Sequence, residues 1–379
     1  MTTIVDSLRT RAKRQKLLIQ GSIIVLILLV VWGAVTNAQY NLDRLNMTSG
    51  FAFLDRGTGW DYSFSLIERS INDRYSYTLF IGLLNTLFVG FICIFSTTFF
   101  GFIIGTMRDA RHPAVSAAAN VYVQIFRNIP LILQAIFLYS LLIHMGGPRQ
   151  AMNFADVAFL SGRGLMLPGI NVSPTVAVGL LAASVALVIG LMLSKATLWR
   201  GLVIWLVSTM VMMMLAALVF RPEGEGLFTI PELKGLRFKG GISVPIELLA
   251  LVISITLYGS AYIAEIVRGG LAQVPRGLVE AGQALGLSRV SIWSRVKVPM
   301  ALRSIIPSLG NQWIFMMKAT TIGIAIGFSD LFYITVNSIS QSGQTLELIL
   351  LLMLTFLAIN YSIALFTNWL NARMKLKGH

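Results

Sequence analysis

The sequence predicts an all-α integral membrane protein with about eight transmembrane helices. Hydrophobic residues make up 56% of the 379-residue chain and charged residues only 12%, with a mean hydropathy of +0.76. Soluble domains carry about 25% charged residues. The apolar residues gather in runs close to the ~20 residues that a helix needs to cross ~30 Å of hydrocarbon. These runs lie at 17–36, 79–106, 121–143, 174–193, 201–220, 245–266, 305–326 and 345–367.

The first apolar run follows a basic segment, Arg9 to Lys16, so a cleavable signal peptide is the alternative reading. The run is longer than a typical signal core. It ends at Thr36-Asn37-Ala38, which matches the small-x-small cleavage pattern poorly. We expect an uncleaved membrane anchor.

Basic residues gather at the ends of the apolar runs on one side, and most acidic residues lie on the other side. By the positive-inside rule, this asymmetry places both termini in the cytoplasm. The net charge of +14 does not indicate a nucleic-acid partner, because no basic face is interleaved with aromatics. Cys93 is the only cysteine, so no intrachain disulfide can form. The three histidines are scattered, and we expect no metal site.

The stretch from Glu280 to Pro299 is polar and basic, and it lies between two hydrophobic runs. Gly286 stands where a helix should end, and Ser288 can cap the next helix. Val290, Trp293 and Val296 then recur every three residues, which gives the second helix an apolar face. The pattern predicts two short helices with a tight bend, and we expect Pro299 to end the second helix.

This stretch resembles the EAA loop of ABC importer permeases, through which the membrane subunit contacts its ATPase. The family pattern is Glu-Ala-Ala, three residues, Gly, nine residues, then Ile-x-Leu-Pro. Gly282 replaces the third alanine, and valines replace the Ile and the Leu. An ordinary cytoplasmic hairpin is the alternative. The matching or candidate coupling residues are Glu280, Ala281, Gly282, Gly286, Ser288, Trp293, Val296, Val298 and Pro299.

Three further segments resemble the polar amino-acid branch of these permeases: Gly82–Leu87, Gln124–Leu131 and Ala261–Leu271. The resemblance implies a five-helix, MetI-like type I permease core. The long chain is similar to permease subunits for general L-amino acids. The implied division is 1–78 for the anchor helix and periplasmic loop, 79–147 and 244–370 for the core, 148–243 for a two-span insertion, and 371–379 for a basic cytoplasmic tail. The coupling loop would span 276–300.

The resemblance also implies partners in a bacterial inner membrane. These are an ABC ATPase dimer, a second, non-identical permease subunit, surrounding lipid, and a periplasmic binding protein that delivers an L-amino acid. The chain contains no Walker-type Gly-x-x-x-x-Gly-Lys-Ser/Thr motif. We therefore expect it to be no enzyme and to bind no cofactor, with ATP and Mg²⁺ used by the partner ATPase.

Lys318 is a charge deep inside an apolar run, and such charges usually mark a pathway or a buried pair. A helix that starts near Pro307 would place it about 16 Å along the axis, near the bilayer middle. It could meet a substrate carboxylate, or it could pair with Glu265; both readings stay open.

Four further polar or charged residues within the apolar runs are candidates for the pathway or for a structural role. Thr320 and Thr321 could line the pathway or bond their own backbone. Asn311 is one further pathway candidate. Arg127 precedes Pro130 by three residues, so it could satisfy carbonyls that Pro130 frees, pair with an acid or, less favoured, contact substrate.

Two other function classes remain open. A stand-alone secondary transporter or channel would be expected to show inverted repeats with broken helices, and none is visible in the sequence. A membrane scaffold would leave both Lys318 and the loop without a role.

Overall fold

The computed structural model describes residues 2–44, 50–110, 112–193, 198–220, 226–235 and 237–374. Residues 375–379 of the predicted basic tail lie outside this part. The twelve α-helices described are α1 Thr2–Arg44, α2 Tyr75–Arg108, α3 Pro113–Asn128, α4 Leu131–Ile143, α5 Pro174–Leu193, α6 Leu198–Val219, α7 Ile246–Ala272, α8 Arg276–Ala284, α9 Arg289–Ile292, α10 Val298–Ala319, α11 Leu331–Ser342 and α12 Thr345–Met374.

Among the described residues, four helices are long and apolar enough to cross a membrane, or up to six if each bent helix pair forms one span. The four lie within α1, α2, α7 and α12. Helices α5 and α6 occupy the fourth and fifth predicted runs, and Val203–Val219 in α6 qualifies only as a shorter apolar helix. The chain is therefore a mostly helical multi-pass membrane protein. The number eight and the orientation stay predictions.

The run at 121–143 is not one straight span. It contains the end of α3 and all of α4, which are bent by 98° at Ile129 and Pro130. Proline has no N–H, and its ring pushes the preceding residue into extended backbone; Ile129 has φ −90° and ψ 125°. The Gln134 amide donates to the carbonyls of Phe126 and Ile129, at 3.0 and 2.9 Å. This side chain replaces the backbone bonds that the break removes.

Pro299 does not end a helix, contrary to expectation. A π-helical turn, Trp293–Lys297, joins α9 directly to α10, and Pro299 lies in the first turn of α10. The wider π turn relieves the clash between the proline ring and the preceding turn. Helix α10 therefore begins nine residues before Pro307, which lies inside it. The depth of Lys318 that was estimated from a start at Pro307 does not hold.

Residues 327–344 lie between the last two predicted apolar runs, and most of them form α11. The Asp330 side chain accepts from the Tyr333 amide at 2.8 Å and caps the helix. Gly343, with φ +73°, ends it. A short 3₁₀ helix, Thr320–Ile326, leads into this element from α10.

The all-α prediction misses a set of short strands in the connections of the 148–243 insertion. These strands have two to four residues, too few for a clear alternating pattern. One antiparallel sheet has the order β1-β2-β3-β8, and two further pairs are β4-β5 and β6-β7. They are β1 Met152–Phe154, β2 Ala158–Ser161, β3 Gly164–Leu167, β4 Gly169–Ile170, β5 Phe228–Thr229, β6 Glu232–Lys234, β7 Arg237–Lys239 and β8 Ile242–Val244.

Helix α7 lies at the centre of the core and packs against α2, α3, α4 and α10. Glycines allow α2 to approach it closely. A Cβ at Gly101 would lie 2.5 Å from the Ile263 side chain, and one at Gly105 would lie 2.6 Å from Val267 Cβ. Small residues four apart bring membrane helices together in this way because lipid provides little hydrophobic drive for helix association. This contact holds the C-terminal halves of α2 and α7 in register.

The close contact predicts that Gly105→Ala destabilises the folded protein. The new methyl group must displace Val267 or the Ala264 carbonyl, 2.8 Å away. Overpacking of this kind costs about 1–3 kcal/mol. The measurement is the apparent Tm and the monodisperse yield of detergent-solubilised protein.

Gly269→Ala is the matched control, since a Cβ at Gly269, on α7 itself, meets no atom within 4 Å. Equal stability of the two variants would contradict the packing argument.

Candidate functional site

The bend between α8 and α9 has the geometry that the sequence predicts. Gly286 is left-handed, with φ +71°. The Leu287 amide donates to the Gly282 carbonyl at 3.1 Å, and the Gly286 amide donates to the Gln283 carbonyl at 2.9 Å. These two bonds form a Schellman motif. Ser288 then caps α9 by accepting from the Ser291 amide at 3.2 Å. Local backbone bonding therefore makes the bend rigid.

The two short helices pack on each other through Ile292 and Gly282. The Ile292 side chain is 5% exposed, and a Cβ at Gly282 would lie 3.1 Å from its Cγ1. The glycine that departs from the family pattern thus makes room for an isoleucine. This small contact closes the bend from the inside.

The outer side of the bend is apolar and uncovered. Leu285 is 79% exposed and Val290 is 75% exposed. Leu278, Leu287 and Trp293 are exposed as well, and so are Glu280 and Ala281. We call the five apolar side chains the loop surface. Val290 and Trp293 belong to the apolar face that the sequence predicts. The three leucines were not predicted as part of this surface, although apolar residues within a polar segment are a signal for an exposed contact.

A second polar cluster lies where α2, α3 and α7 meet, around the Glu265 carboxylate. Arg108 Nη1 is 2.5 Å from Glu265 Oε2, and Arg127 Nη1 is 3.4 Å from the same oxygen. Arg268 Nη2 is 2.5 Å from Oε1. Arg108 also donates from Nε to Asn120 Oδ1 at 2.7 Å. One carboxylate therefore holds arginines from three helices, and we call these four charged residues the Glu265 cluster.

The ion pairs of this cluster show which of the alternative partners predicted for Glu265 and Arg127 are present in the structure. Pairing of Glu265 with Lys318 is wrong in this structure, because the carboxylate is taken by arginines. Arg127 pairs with the acid, and its guanidinium lies 4.9 Å from the centre of the Tyr262 ring. It does not serve the carbonyls at Pro130, since Gln134 does so.

Lys318 lies in the last turn of α10 and is exposed. Within the described part of the chain, no acidic side chain forms an ion pair with it. Asn311 and Phe315 are also exposed, and their spacing of four and then three residues places all three side chains on one helix face. Lys318 is thus a cation on an open face of the core rather than half of a buried pair.

The two threonines after Lys318 bond their own backbone. Thr320 Oγ1 donates to the Met317 carbonyl at 3.0 Å, and Thr321 Oγ1 donates to the Lys318 carbonyl at 2.8 Å. Thr320 is fully buried. In this structure the hydroxyls stabilise the step from α10 into the 3₁₀ helix.

A family model matches residues 97–376, which include the end of α2, helices α3 to α12, the bend and the Glu265 cluster. Its description is the inner membrane component of binding-protein-dependent transport systems. The chain belongs to this family.

Relatives match nearly the whole chain. A general L-amino acid transport system permease from Rhizobium johnstonii is 36% identical over 93% of this chain and 90% of its own length. A putative amino-acid ABC transporter permease from Escherichia coli is 36% identical over 90% and 89%. A glutamate/glutamine/aspartate/asparagine transport permease from Rhodobacter capsulatus is 31% identical over 93% of each chain.

Solved structures lie further away. An amino acid ABC transporter crystallised with histidines is 18% identical with a TM-score of 0.48, over 79% of this chain and 95% of that one. An inward-facing methionine ABC transporter is 15% identical with a TM-score of 0.47, over 79% and 98%.

Two amide side chains of this permease, Gln134 and Asn85, are structurally central, although neither was predicted to have a role. Gln134 bridges the break between α3 and α4. Asn85 is fully buried and donates to the carbonyls of Phe64 and Ser329, at 3.0 and 2.7 Å. Its position within the family-like block Gly82–Leu87 was visible, but its partners are distant in sequence.

Proposed function

We propose that this chain is the translocating subunit of an ATP-driven importer that carries L-amino acids, with a broad polar range, into the cytoplasm of a bacterium. The family supports an inner-membrane transport component. The names of three relatives that match almost the full chain support amino acids as the substrate class. ATP and Mg²⁺ belong to a separate ATPase in this proposal, and the present chain contributes the membrane route and the coupling loop.

The loop surface is the observation that carries the coupling role. It combines a rigid bend with exposed leucine, valine and tryptophan side chains at one end of the core. Exposed apolar groups of this kind on a preorganised element suit insertion into a groove of a partner. The partner is an ABC ATPase dimer, which would contact the side chains exposed between Leu278 and Trp293, including Glu280 and Ala281.

The coupling role predicts that Gly286→Val lowers ATP-driven uptake while the protein still inserts. Valine at φ +71° is strained by about 1–2 kcal/mol, which favours a distorted bend. We expect uptake of labelled L-glutamate into proteoliposomes, and the amount of co-purified ATPase, to fall by roughly 5- to 30-fold.

Gly179→Val is the matched control. Gly179 lies in α5, outside the coupling loop, without a positive φ, and a Cβ there meets nothing within 4 Å. Full ATPase binding and uptake by Gly286→Val would reject the docking role of this bend.

The other partners follow from the family. A second, non-identical permease subunit would complete the membrane route, and a periplasmic binding protein would deliver the amino acid to the outer face. Charge asymmetry supports an orientation with both termini and the loop surface in the cytoplasm. The strands of the 148–243 insertion would then face the periplasm. Eight spans result if α5 and α6 each cross the membrane.

This orientation predicts opposite labelling of two engineered cysteines in a Cys93→Ala background. Ala151→Cys, just before β1, should react with a membrane-impermeant maleimide in spheroplasts. Ser288→Cys in the loop should react only after lysis. The reverse pattern would overturn the orientation.

Lys318 is the proposed contact for the substrate carboxylate. Its ammonium has no acidic partner in the described part of the chain and shares an open face with Asn311 and Phe315. A buried or lipid-facing charge without a partner is costly, and a translocated carboxylate would satisfy it. Thr320 and Thr321 are less suited to substrate contact, because their hydroxyls already donate to backbone.

Lys318→Met should raise the substrate concentration for half-maximal uptake by roughly 10- to 150-fold, the value of a charged hydrogen bond of about 1.5–3 kcal/mol. Folded yield, ATPase binding and basal hydrolysis should not change, because Lys318 is no part of the Glu265 cluster. Lys318→Arg should retain much of the uptake, and Lys239→Met in β7 is the control for loss of an exposed lysine.

Unchanged uptake by Lys318→Met would reject the carboxylate contact. A stand-alone secondary transporter or channel, the competing reading, would take up amino acids in proteoliposomes that hold no ATPase and no ATP. Such uptake would reject the importer proposal as a whole.

A further inference from the structure

Among the residues that the structure describes, one ion pair links the coupling loop to the end of α2. Lys297 Nζ lies 2.5 Å from Asp109 Oδ2, and the two side chains are only 25% and 31% exposed. Lys297 is the last residue of the π turn, and Asp109 is the residue that caps the end of α2. The pair therefore joins two elements that are far apart in sequence.

The π turn determines where Lys297 lies. The Val298 amide donates to the Trp293 carbonyl, five residues back, rather than four. Each extra residue in a turn rotates the following side chains by about 100° relative to a regular helix. The turn that accommodates Pro299 thus also sets the direction in which Lys297 leaves the helix. Turns of this kind are frequent at functional sites.

The residue before Asp109 extends the connection into the core. Arg108 contacts Glu265 at 2.5 Å, and it donates to Asn120 of α3 at 2.7 Å. Two consecutive residues at the end of α2 therefore hold the loop on one side and helices α3 and α7 on the other. A displacement of Lys297 that moves Asp109 must also move the backbone that carries Arg108.

From the Glu265 cluster, contacts continue toward the open face of α10. Arg127 stacks over Tyr262 at 4.9 Å, and the Tyr258 hydroxyl donates to the Tyr262 hydroxyl at 3.1 Å. The rings of Tyr258 and Phe315 stack at 6.1 Å between centroids. Phe315 lies three residues before Lys318, on the same face of the helix.

We propose that Asp109 and Lys297 are positioning residues for transport: their ion pair carries a displacement of the coupling loop into the Glu265 cluster, and from there to the face that holds Lys318. This inference rests on the proposed function of the loop. Neither residue belongs to the loop surface, so the pair acts after the ATPase has docked. Its specific effect is on the number of substrate molecules moved for each ATP hydrolysed.

The test is a double-mutant cycle in the complete transporter, with both permease subunits, the ATPase and the binding protein in proteoliposomes. Asp109→Asn and Lys297→Met should each lower the uptake per ATP hydrolysed by between about 2- and 30-fold, the range of couplings found along such networks. ATPase stoichiometry and basal hydrolysis should stay unchanged. The neutral double variant should show the loss of one single variant rather than the product of both.

Asp109→Lys with Lys297→Asp should restore the uptake per ATP to within about 2-fold of the unaltered transporter, because the reversed pair can form again. Asp55→Asn is the matched control. Its partner Arg74 precedes the opposite end of α2, and that exposed pair, at 3.4 Å, lies outside the proposed connection.

Three results would overturn the proposal: unchanged uptake per ATP in both single variants, multiplicative losses in the neutral double variant, or loss of bound ATPase in the single variants. A failure of the underlying function is distinguishable, because the unaltered chain would then bind no ATPase.

Discussion

The carboxylate of Glu265 is the constraint on which the junction of α2, α3 and α7 depends. Three arginines from three helices converge on it, and Arg108 is only 12% exposed, so removing the acid would leave like charges facing each other in a half-buried site. Close packing makes this convergence possible. Gly101 and Gly105 let α2 lie directly against α7, which brings Arg108 within reach of Glu265. The glycines and the Glu265 cluster therefore stabilise the same helix junction. The glycines allow close packing, and the cluster contributes ion pairs.

Two prolines show why a helix break depends on partners as much as on the proline itself. Pro130 breaks its run by 98° because the Gln134 side chain is available to bond the carbonyls that the break exposes. Pro299 does not break its helix, because the wider π turn before it leaves room for the proline ring. The sequence predicts that Pro130 frees carbonyls within one span and that Pro299 ends a helix; the structure instead shows a sharp bend at Pro130 and a continuous helix through Pro299. A proline gives a strong local signal, but the choice between a break and an adjusted turn is made by side chains and backbone groups that the rule does not consider.

Features that depend on contacts between residues close in the sequence could be predicted, whereas features that depend on distant residues could not. The left-handed Gly286 and the Ser288 cap depend on bonds across three to five residues, so the family-like spacing and the residue types suffice to predict them. The Glu265 cluster depends on residues up to 157 positions apart, and the sequence offered Lys318 as an equally plausible partner. Strands of two to four residues carry too little periodicity to be recognised. The composition predicted a membrane protein reliably, whereas the helix count depended on runs that the structure bends.

Under the proposed coupling role, the loop needs both a surface that the ATPase can bind and a rigid connection to the core helices. The Schellman bend provides the first, since its backbone bonds and the Ile292–Gly282 contact fix the apolar side chains relative to one another. The second is provided by the continuous helical path from α9 through the π turn into α10, together with the lateral tie from Lys297 to Asp109. A helix ended at Pro299 would have left a flexible joint at this point. The continuous helix and the ion pair beside it link the loop to both α10 and α2, which are two of the four helices packed against α7. Under the proposed coupling role, a movement of the loop would therefore shift α10 and α2 together.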